Sequence, residues 1–243
     1  MPVPLANGRS AAGNVVASAA PAQEREKWLP HLESVGLAAG DFLYRTGDRL
    51  AEVYFPLDCV VAVLGMSRSG ATSGVALIGA DGIIGVSAAL GDTRAGGYAL
   101  VQHAGRSLRL PTAVFNESFG RSPKLRSIVL RYVSSMVTQM AQTSLCNSQH
   151  AVEQRLRRWL LQMLDRLPSA DLRVTQEAIG AVLGVRREAI TVAAQRLQAL
   201  GAIANTRGRI TVLSRERVAE GCCECYAVLR DELERATRDI STA

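Results

Sequence analysis

Lysine is almost missing from this chain. Of its 28 basic residues only Lys27 and Lys124 are lysine, and the others are arginine. The excess suits planar, bidentate recognition of phosphate or guanine, and it equally suits the codon bias of a GC-rich genome. Long apolar runs are missing too. None approaches the roughly 20 residues of a membrane span. The first residues carry one charge, Arg9, and no compact apolar segment, so no secretory signal is expected. Cysteine is sparse and odd in number, at positions 59, 146, 222, 223 and 225. That excludes a disulfide framework and fits a reducing cytoplasm. Histidine is rarer still. His31, His103 and His150 are scattered, and each reads as structural.

Hydrophobic residues make up 48% of the 243, which excludes global disorder and allows one large domain or two small ones. The net charge of +6 suits a polyanion partner without proving one.

Residues 1–22, rich in Ala, Gly, Ser and Pro, read as a disordered arm, and residues 23–36 as a short helix with Trp28, Leu29 and Leu32. From residue 37 to 110 short apolar runs alternate with Gly and Asp turns. This predicts an antiparallel sandwich or barrel. Pro111 then opens a helical region. After Pro123 a long helix is expected, with Leu125, Val129, Tyr132, Met136 and Met140 on one stripe and Leu130, Val133 and Val137 beside it. The first stripe is the expected dimer seam. A second helix follows over 151–167, and a polar helix closes the chain over 214–238.

Between them lies the most informative stretch. Thr175 fits a helix N-cap, and Glu177 suits the first turn. Ile179, Val182 and Leu183 share an apolar face. Gly180 allows close helix crossing, and Gly184 suits a left-handed helix stop. A second helix starts at Arg186, with Ile190, Ala193, Ala194 and Leu197 inward. Its outer face carries Arg186, Arg187, Glu188 and Thr191, the positions that reach base edges in a helix-turn-helix. Arg suits guanine and Glu suits a cytosine amino group. The alternative is a helical hairpin with solvated charges. A β-hairpin over 206–213 turning at Gly208 makes the pattern more specific. Arg207 and Arg209 flank its tip, within expected reach of phosphates, as are Thr175, Gln176 and Gln195. Residues 151–213 hold ten Arg against five acids, a local positive excess.

The run from Thr175 to Leu213 resembles the winged helix-turn-helix of the CRP/FNR family of transcription regulators. The segments Phe55-Pro56-Leu57 and Gly82-Ile83-Ile84-Gly85 are similar to that family's barrel core. The resemblance implies an α+β chain with an N-terminal antiparallel β-barrel of the jelly-roll (double-stranded β-helix) kind over 23–120. A dimerisation helix would occupy 121–147 and a winged helix-turn-helix domain 148–243. It implies a cytoplasmic homodimer on a palindromic operator, with double-stranded DNA and RNA polymerase as partners and no catalysis. Arg187 and Glu188 match the family's base-reading pair. Where the family has a further Arg stands Val192, and Arg186 replaces the usual Ser or Thr cap.

The effector side departs further. Cyclic-nucleotide binders of the family carry a Glu after the Gly-x-Ile-Gly turn and later an Arg for the cyclic phosphate. Here the first region reads Gly85-Val86-Ser87-Ala88, and Gly96 falls at the phosphate position, with Arg94 and Gly97 nearby. A buried phosphate without a cation is costly, so cyclic AMP is not the expected ligand. No cofactor or metal is expected. An iron–sulfur cluster of the family's kind needs cysteines near the N-terminus, and the first cysteine is Cys59. Cys222, Cys223 and Cys225 read as packing residues without partners for a four-ligand site, against a redox or metal alternative. Two rival functions remain open: a barrel enzyme, which the absence of paired His ligands disfavours, and an interaction module without effector.

Overall fold

The structure is a computed structural model that describes residues 13–242. Two short helices, α1 (Val15–Ala19) and α2 (Ala22–Trp28), precede seven strands: β1 (Glu33–Leu37), β2 (Phe42–Tyr44), β3 (Glu52–Pro56), β4 (Val60–Met66), β5 (Thr72–Ile78), β6 (Tyr98–His103) and β7 (Gly105–Pro111). They form two antiparallel sheets, ordered β1-β7-β3 and β2-β6-β4-β5. The expected antiparallel fold is present. β4 lies inside its sheet between β5 and β6, and its Val60-Val61-Ala62 run is buried on both faces. β3 alternates instead, burying Val53 and Phe55 while Glu52 and Tyr54 lie nearer solvent, the period-2 signature of a strand with one buried face.

The N-terminal expectation needs correction. Of the expected arm, residues 1–12 lie outside the described residues. Residues 13–22 pack onto the body of the protein. Asn14 is buried and caps α1, its Oδ1 accepting from Val16 N–H at 3.0 Å. Its Nδ2 donates to the carbonyls of Pro56 (3.1 Å) and Gly82 (2.7 Å). With Ala17 N–H also donating to Oδ1, one asparagine satisfies four backbone groups, which outweighs a composition that gives no core signal. The expected helix over 23–36 ends at Trp28, passes through a 3-10 turn and becomes β1. Trp28 stacks on Phe55 at 5.7 Å and donates through Nε1 to Ser118 Oγ at 3.0 Å.

Helix α3 (Thr112–Arg121) leads into α4 (Pro123–Gln149), whose start is capped by Ser122. The face of α4 is not the one expected to be the dimer seam. Leu125, Val129 and Tyr132 are buried against the chain's own strands, Tyr132 Oη donates to the Ile83 carbonyl at 2.9 Å, and Met136 packs partly on the same core. Met140 is half-buried. The stripe open to solvent runs through Ser127, Leu130, Ser134, Val137, Ala141 and Leu145, with Leu130 47% and Val137 60% exposed. Periodicity showed two apolar faces and could not say which one the barrel would take.

Helix α5 (Val152–Arg166) is buried almost throughout. Four of the ten arginines counted toward a positive surface, Arg155, Arg157, Arg158 and Arg166, lie in this helix away from solvent. Much of the local charge excess is therefore internal. The remaining elements are β8 (Asp171–Leu172), α6 (Gln176–Leu183), α7 (Arg187–Ala199), β9 (Ile203–Thr206), β10 (Arg209–Val212), α8 (Arg215–Glu220) and α9 (Cys225–Ser241). The expected single closing helix is thus two, broken over 221–224. Helix α9 runs back antiparallel along α4: Gln142 meets Cys225 near one end, and Arg131 donates to the Asp239 carbonyl near the other. Its apolar face, Leu229, Ala236 and Ile240, is buried.

Strands and helix-turn-helix share one core. Val60, Ala62, Leu64, Leu77 and Leu100 cluster with Trp159, Leu160, Val182 and Leu183. Helix α6 lies directly on β5, where Thr72 Oγ1 donates to the Ala181 carbonyl at 3.0 Å. A Cβ on Gly74 would come within 2.7 Å of the Val182 carbonyl oxygen.

Candidate nucleic-acid interface

The helix-turn-helix is built as its residues dictate. Thr175 caps α6, its Oγ1 accepting from Ala178 N–H at 3.1 Å. Gly184 ends the helix at φ +64°, a left-handed conformation favouring glycine. A Cβ on Gly180 would come within 2.8 Å of the Val185 carbonyl oxygen, so glycine permits the tight turn between the helices. In α7 Ile190, Ala193, Ala194 and Leu197 are buried. This leaves Arg186, Arg187, Glu188 and Gln195 on the other side, the first three at its N-terminal end.

The wing is a hairpin of β9 and β10. Arg209 pairs with Thr206 across a two-residue turn at Arg207 and Gly208. A third strand that sequence reasoning missed, β8, pairs with the outer side of β10. At two residues it gives no periodicity signal.

Four of the expected contact residues meet at one open cleft. Thr175, Gln176, Arg187 and Arg207 line it together with Glu177, Asn205, Thr206 and Gly208. Its walls are the start of α6, the start of α7 and the wing. Arg186, Arg187 and Arg207 make no ion pair among the described residues, and Arg187 and Arg207 are exposed. Their guanidinium donors are open to a polyanion partner. Arg173, just before α6, is a further exposed arginine that sequence reasoning did not single out.

Two expected contacts are already engaged within the chain. Arg209 forms a two-pronged ion pair with Asp171 on β8, and Thr211 Oγ1 adds a bond to the same carboxylate at 3.2 Å. The Arg209 guanidinium beside it holds the Asp171 carboxyl below the usual carboxylate range, and the Arg209 pKa is raised in return. Arg209 is thus neutralised beside the wing tip, whereas Arg207 in the turn itself pairs with no acid among the described residues. Thr191 Oγ1 lies 2.6 Å from Gln176 Oε1 and ties α7 to the start of α6.

The expected effector residues fall in the turn after β5 and in the segment just before β6. Gly85 takes φ +84° at the start of a 3-10 turn, and Val86 is buried while Ser87 is half-buried. Arg94 is exposed and donates through Nη1 to the Gly47 carbonyl at 2.7 Å. Gly96 is exposed and Gly97 half-buried. Nearby, Val61, Ile78, Ile84, Ala99 and Val101 form a buried apolar cluster.

With this geometry in place, residues 154–220 match the family model described as the Crp-like helix-turn-helix domain. No curated protein matches the sequence. Solved structures do match in fold. FixK2 from Bradyrhizobium japonicum is 14% identical at a TM-score of 0.67, covering 79% of this chain and 98% of that one. The c-di-GMP responsive global regulator CLP from Xanthomonas campestris is 15% identical at 0.64, covering 80% and 100%. A CRP/FNR-family transcriptional regulator from Thermus thermophilus is 22% identical at 0.61, covering 78% and 97%. The domain match and the fold together describe a winged helix-turn-helix behind an antiparallel β-domain. Residues 154–220 thus carry a Crp-like helix-turn-helix domain, and the fold around it is like that of solved CRP/FNR-family regulators. Among the described residues no helix is long and apolar enough to cross a membrane.

Proposed function

We propose that this chain acts in the cytoplasm as a homodimer that reads a two-fold symmetric DNA operator through the N-terminal end of α7. The observation that carries this reading is the convergence of Thr175, Gln176, Arg187 and Arg207 on one open cleft. On this reading Arg187 in the cleft, with Arg186 and Glu188 beside it, faces base edges in the major groove. Thr175, Gln176 and Arg207 hold the phosphates on either side, with Gln195 and Arg173 further along. Thr191 supports α7 rather than touching a base, because Gln176 already occupies its hydroxyl.

The second copy docks on the exposed stripe of α4. Leu130 and Val137 are seven residues apart, flanked by Ser127, Ser134 and Ala141 at heptad spacing. Small residues there let two helices approach closely. A shallow groove lined by Ser127, Leu130 and Ser134 supports the same face. Two recognition helices would then meet half-sites about one DNA turn, roughly 34 Å, apart. RNA polymerase is the expected further partner on the DNA.

The effector is not cyclic AMP. No acid stands between Gly85 and Ala89, and Arg94 is turned to a backbone carbonyl at the surface. A cyclic phosphate would enter without a cation. Calorimetry detects no micromolar binding on this reading; a micromolar isotherm overturns it. The DNA assignment is tested by genome-wide footprinting with purified protein. It returns a palindromic site, and the Arg187→Ala protein loses that footprint while remaining folded. Retention of full operator affinity by Arg187→Ala refutes the role of α7.

A further inference from the structure

Four ligand-type side chains from distant parts of the sequence meet at one point. Cys146 and His150 stand four residues apart at the end of α4, and Cys223 and Cys225 lie where the chain enters α9. One donor atom from each falls within 4.8 Å of every other. The three sulfurs are largely shielded from water: Cys146, Cys223 and Cys225 are buried, and His150 is half-buried. The expectation that these cysteines lack partners fails because the missing ligands come from α4, more than seventy residues away.

Two of the donor separations match those of a tetrahedral centre, and the remaining ones lie within 4.8 Å. Ligands at zinc–sulfur and zinc–nitrogen bond lengths place sulfurs about 3.8 Å apart and a sulfur–nitrogen pair about 3.6 Å apart. Cys146 Sγ and Cys223 Sγ are 3.6 Å apart, and Cys225 Sγ lies 3.5 Å from His150 Nδ1. The surroundings are those of metal ligands. His150 Nε2 faces the Glu224 carboxylate at 3.3 Å, which fixes the ring and leaves Nδ1 to the sulfurs. Gln142 Nε2 donates to Cys225 Sγ at 3.1 Å.

A second, independent observation is a buried cation without an acid. Arg158 is buried beneath the cluster side of α5, and its partners are the neutral Thr143 Oγ1 (3.4 Å) and Gln162 Oε1 (3.1 Å). No carboxylate pairs with it among the described residues, and its Nε has no partner there. An unpaired buried charge is costly. A divalent ion with three thiolates carries a net charge of −1, the counter-charge Arg158 lacks.

We propose that Cys146, His150, Cys223 and Cys225 bind one thiophilic divalent cation, zinc, in a closed structural site that fastens the end of α4 to the start of α9. With four protein ligands no position remains for substrate, so the role is structural. Binding replaces protons on the thiols and releases them to solvent. The ion would hold α9 along α4 and fix the bend between α4 and α5, where the β-domain passes to the helix-turn-helix. The site is independent of the DNA-reading assignment.

The test uses the full chain without a histidine tag, reduced and stripped of metal, and titrated with cobalt(II). We expect thiolate-to-cobalt charge-transfer and tetrahedral d–d absorption that saturates at one ion per chain and vanishes when one equivalent of zinc is added. Cys223→Ser and His150→Ala should lose or shift these bands. Cys59→Ser, at a buried thiol outside the cluster, should leave them unchanged. If the variants fail to fold, the wild-type titration still decides. A folded, fully reduced wild-type chain with no thiolate–cobalt absorption overturns the proposal. So does a chain that takes no metal and instead forms a Cys146–Cys223 disulfide in peroxide.

Discussion

The Arg166 guanidinium donates to the Asp81 carboxylate at 3.0 Å, with side chains 1% and 6% exposed. The pair joins α5, which leads into the helix-turn-helix, to the turn after β5. A buried pair is hard to break from one side, because the remaining charge loses its partner without regaining water. Asp81→Asn is therefore expected to destabilise the chain by about 3–5 kcal/mol, read as a lower urea midpoint. A double change to Asp81→Leu and Arg166→Met should recover much of that loss. If Asp81→Asn unfolds at the wild-type midpoint, the pair does not anchor the two parts.

Leu130 and Val137 separate dimerisation from folding, since they are exposed within one chain. Val137→Arg is expected to weaken self-association at least about tenfold, a cost of about 1.4 kcal/mol, with the unfolding midpoint of the monomer unchanged. Sedimentation velocity reads the first and urea melts the second. Leu125→Arg should behave oppositely and fail to fold, because Leu125 is fully buried. A dimeric Val137→Arg protein would place the seam elsewhere.

Arg187 and Arg207 should fail differently. Arg187→Ala is expected to lose about 1–3 kcal/mol per half-site at the operator and little on unrelated DNA. Arg207→Ala should weaken both alike and reduce the slope of log affinity against log salt by about 0.9 for each phosphate left without its cation. Binding isotherms at several salt concentrations distinguish the two patterns, and identical losses on all sequences for both variants would remove the base-reading role of Arg187.

Asp171 restrains Arg209, so removing its charge should release a cation at the wing. Asp171→Asn is expected to raise non-specific DNA affinity and steepen the salt slope, measured by fluorescence anisotropy. A carboxyl held below its unfolded value, about 3.9, contributes stability above that pH and loses it as pH falls through the lowered folded value. Acid should accordingly loosen the wing, while between about pH 5 and 8 this pair adds no pH dependence. An unchanged salt slope in Asp171→Asn would mean that Arg209 never reaches phosphate.

What the sequence revealed followed the range of its signals. The helix-turn-helix was legible because its cap, crossing and stop at Thr175, Gly180 and Gly184 are local requirements, each met by a residue type with few alternatives. The β-domain was legible through its turns. The outward face of α4 was not, since Tyr132 and Val137 are equally apolar and only the packed strands choose between them. Nor was the destination of the arginines: Arg158 and Arg209 look alike in composition, yet one is enclosed within α5 and its neighbours and the other is held by Asp171 across a strand pair. The thiol cluster depends wholly on α9 folding back along α4, a long-range event with no local mark.

Gly74 bears on how such regulators can be rebuilt. Its missing side chain is a socket for Val182 of α6, so the two halves are cut to each other's shape. A chimera that transplants a foreign recognition module behind residue 150 would meet β5 with mismatched relief, leaving a void or a collision where the valine now sits. Redirecting this protein to new promoters is better done by exchanging the outward side chains of α7 alone, which leaves that fitted joint untouched.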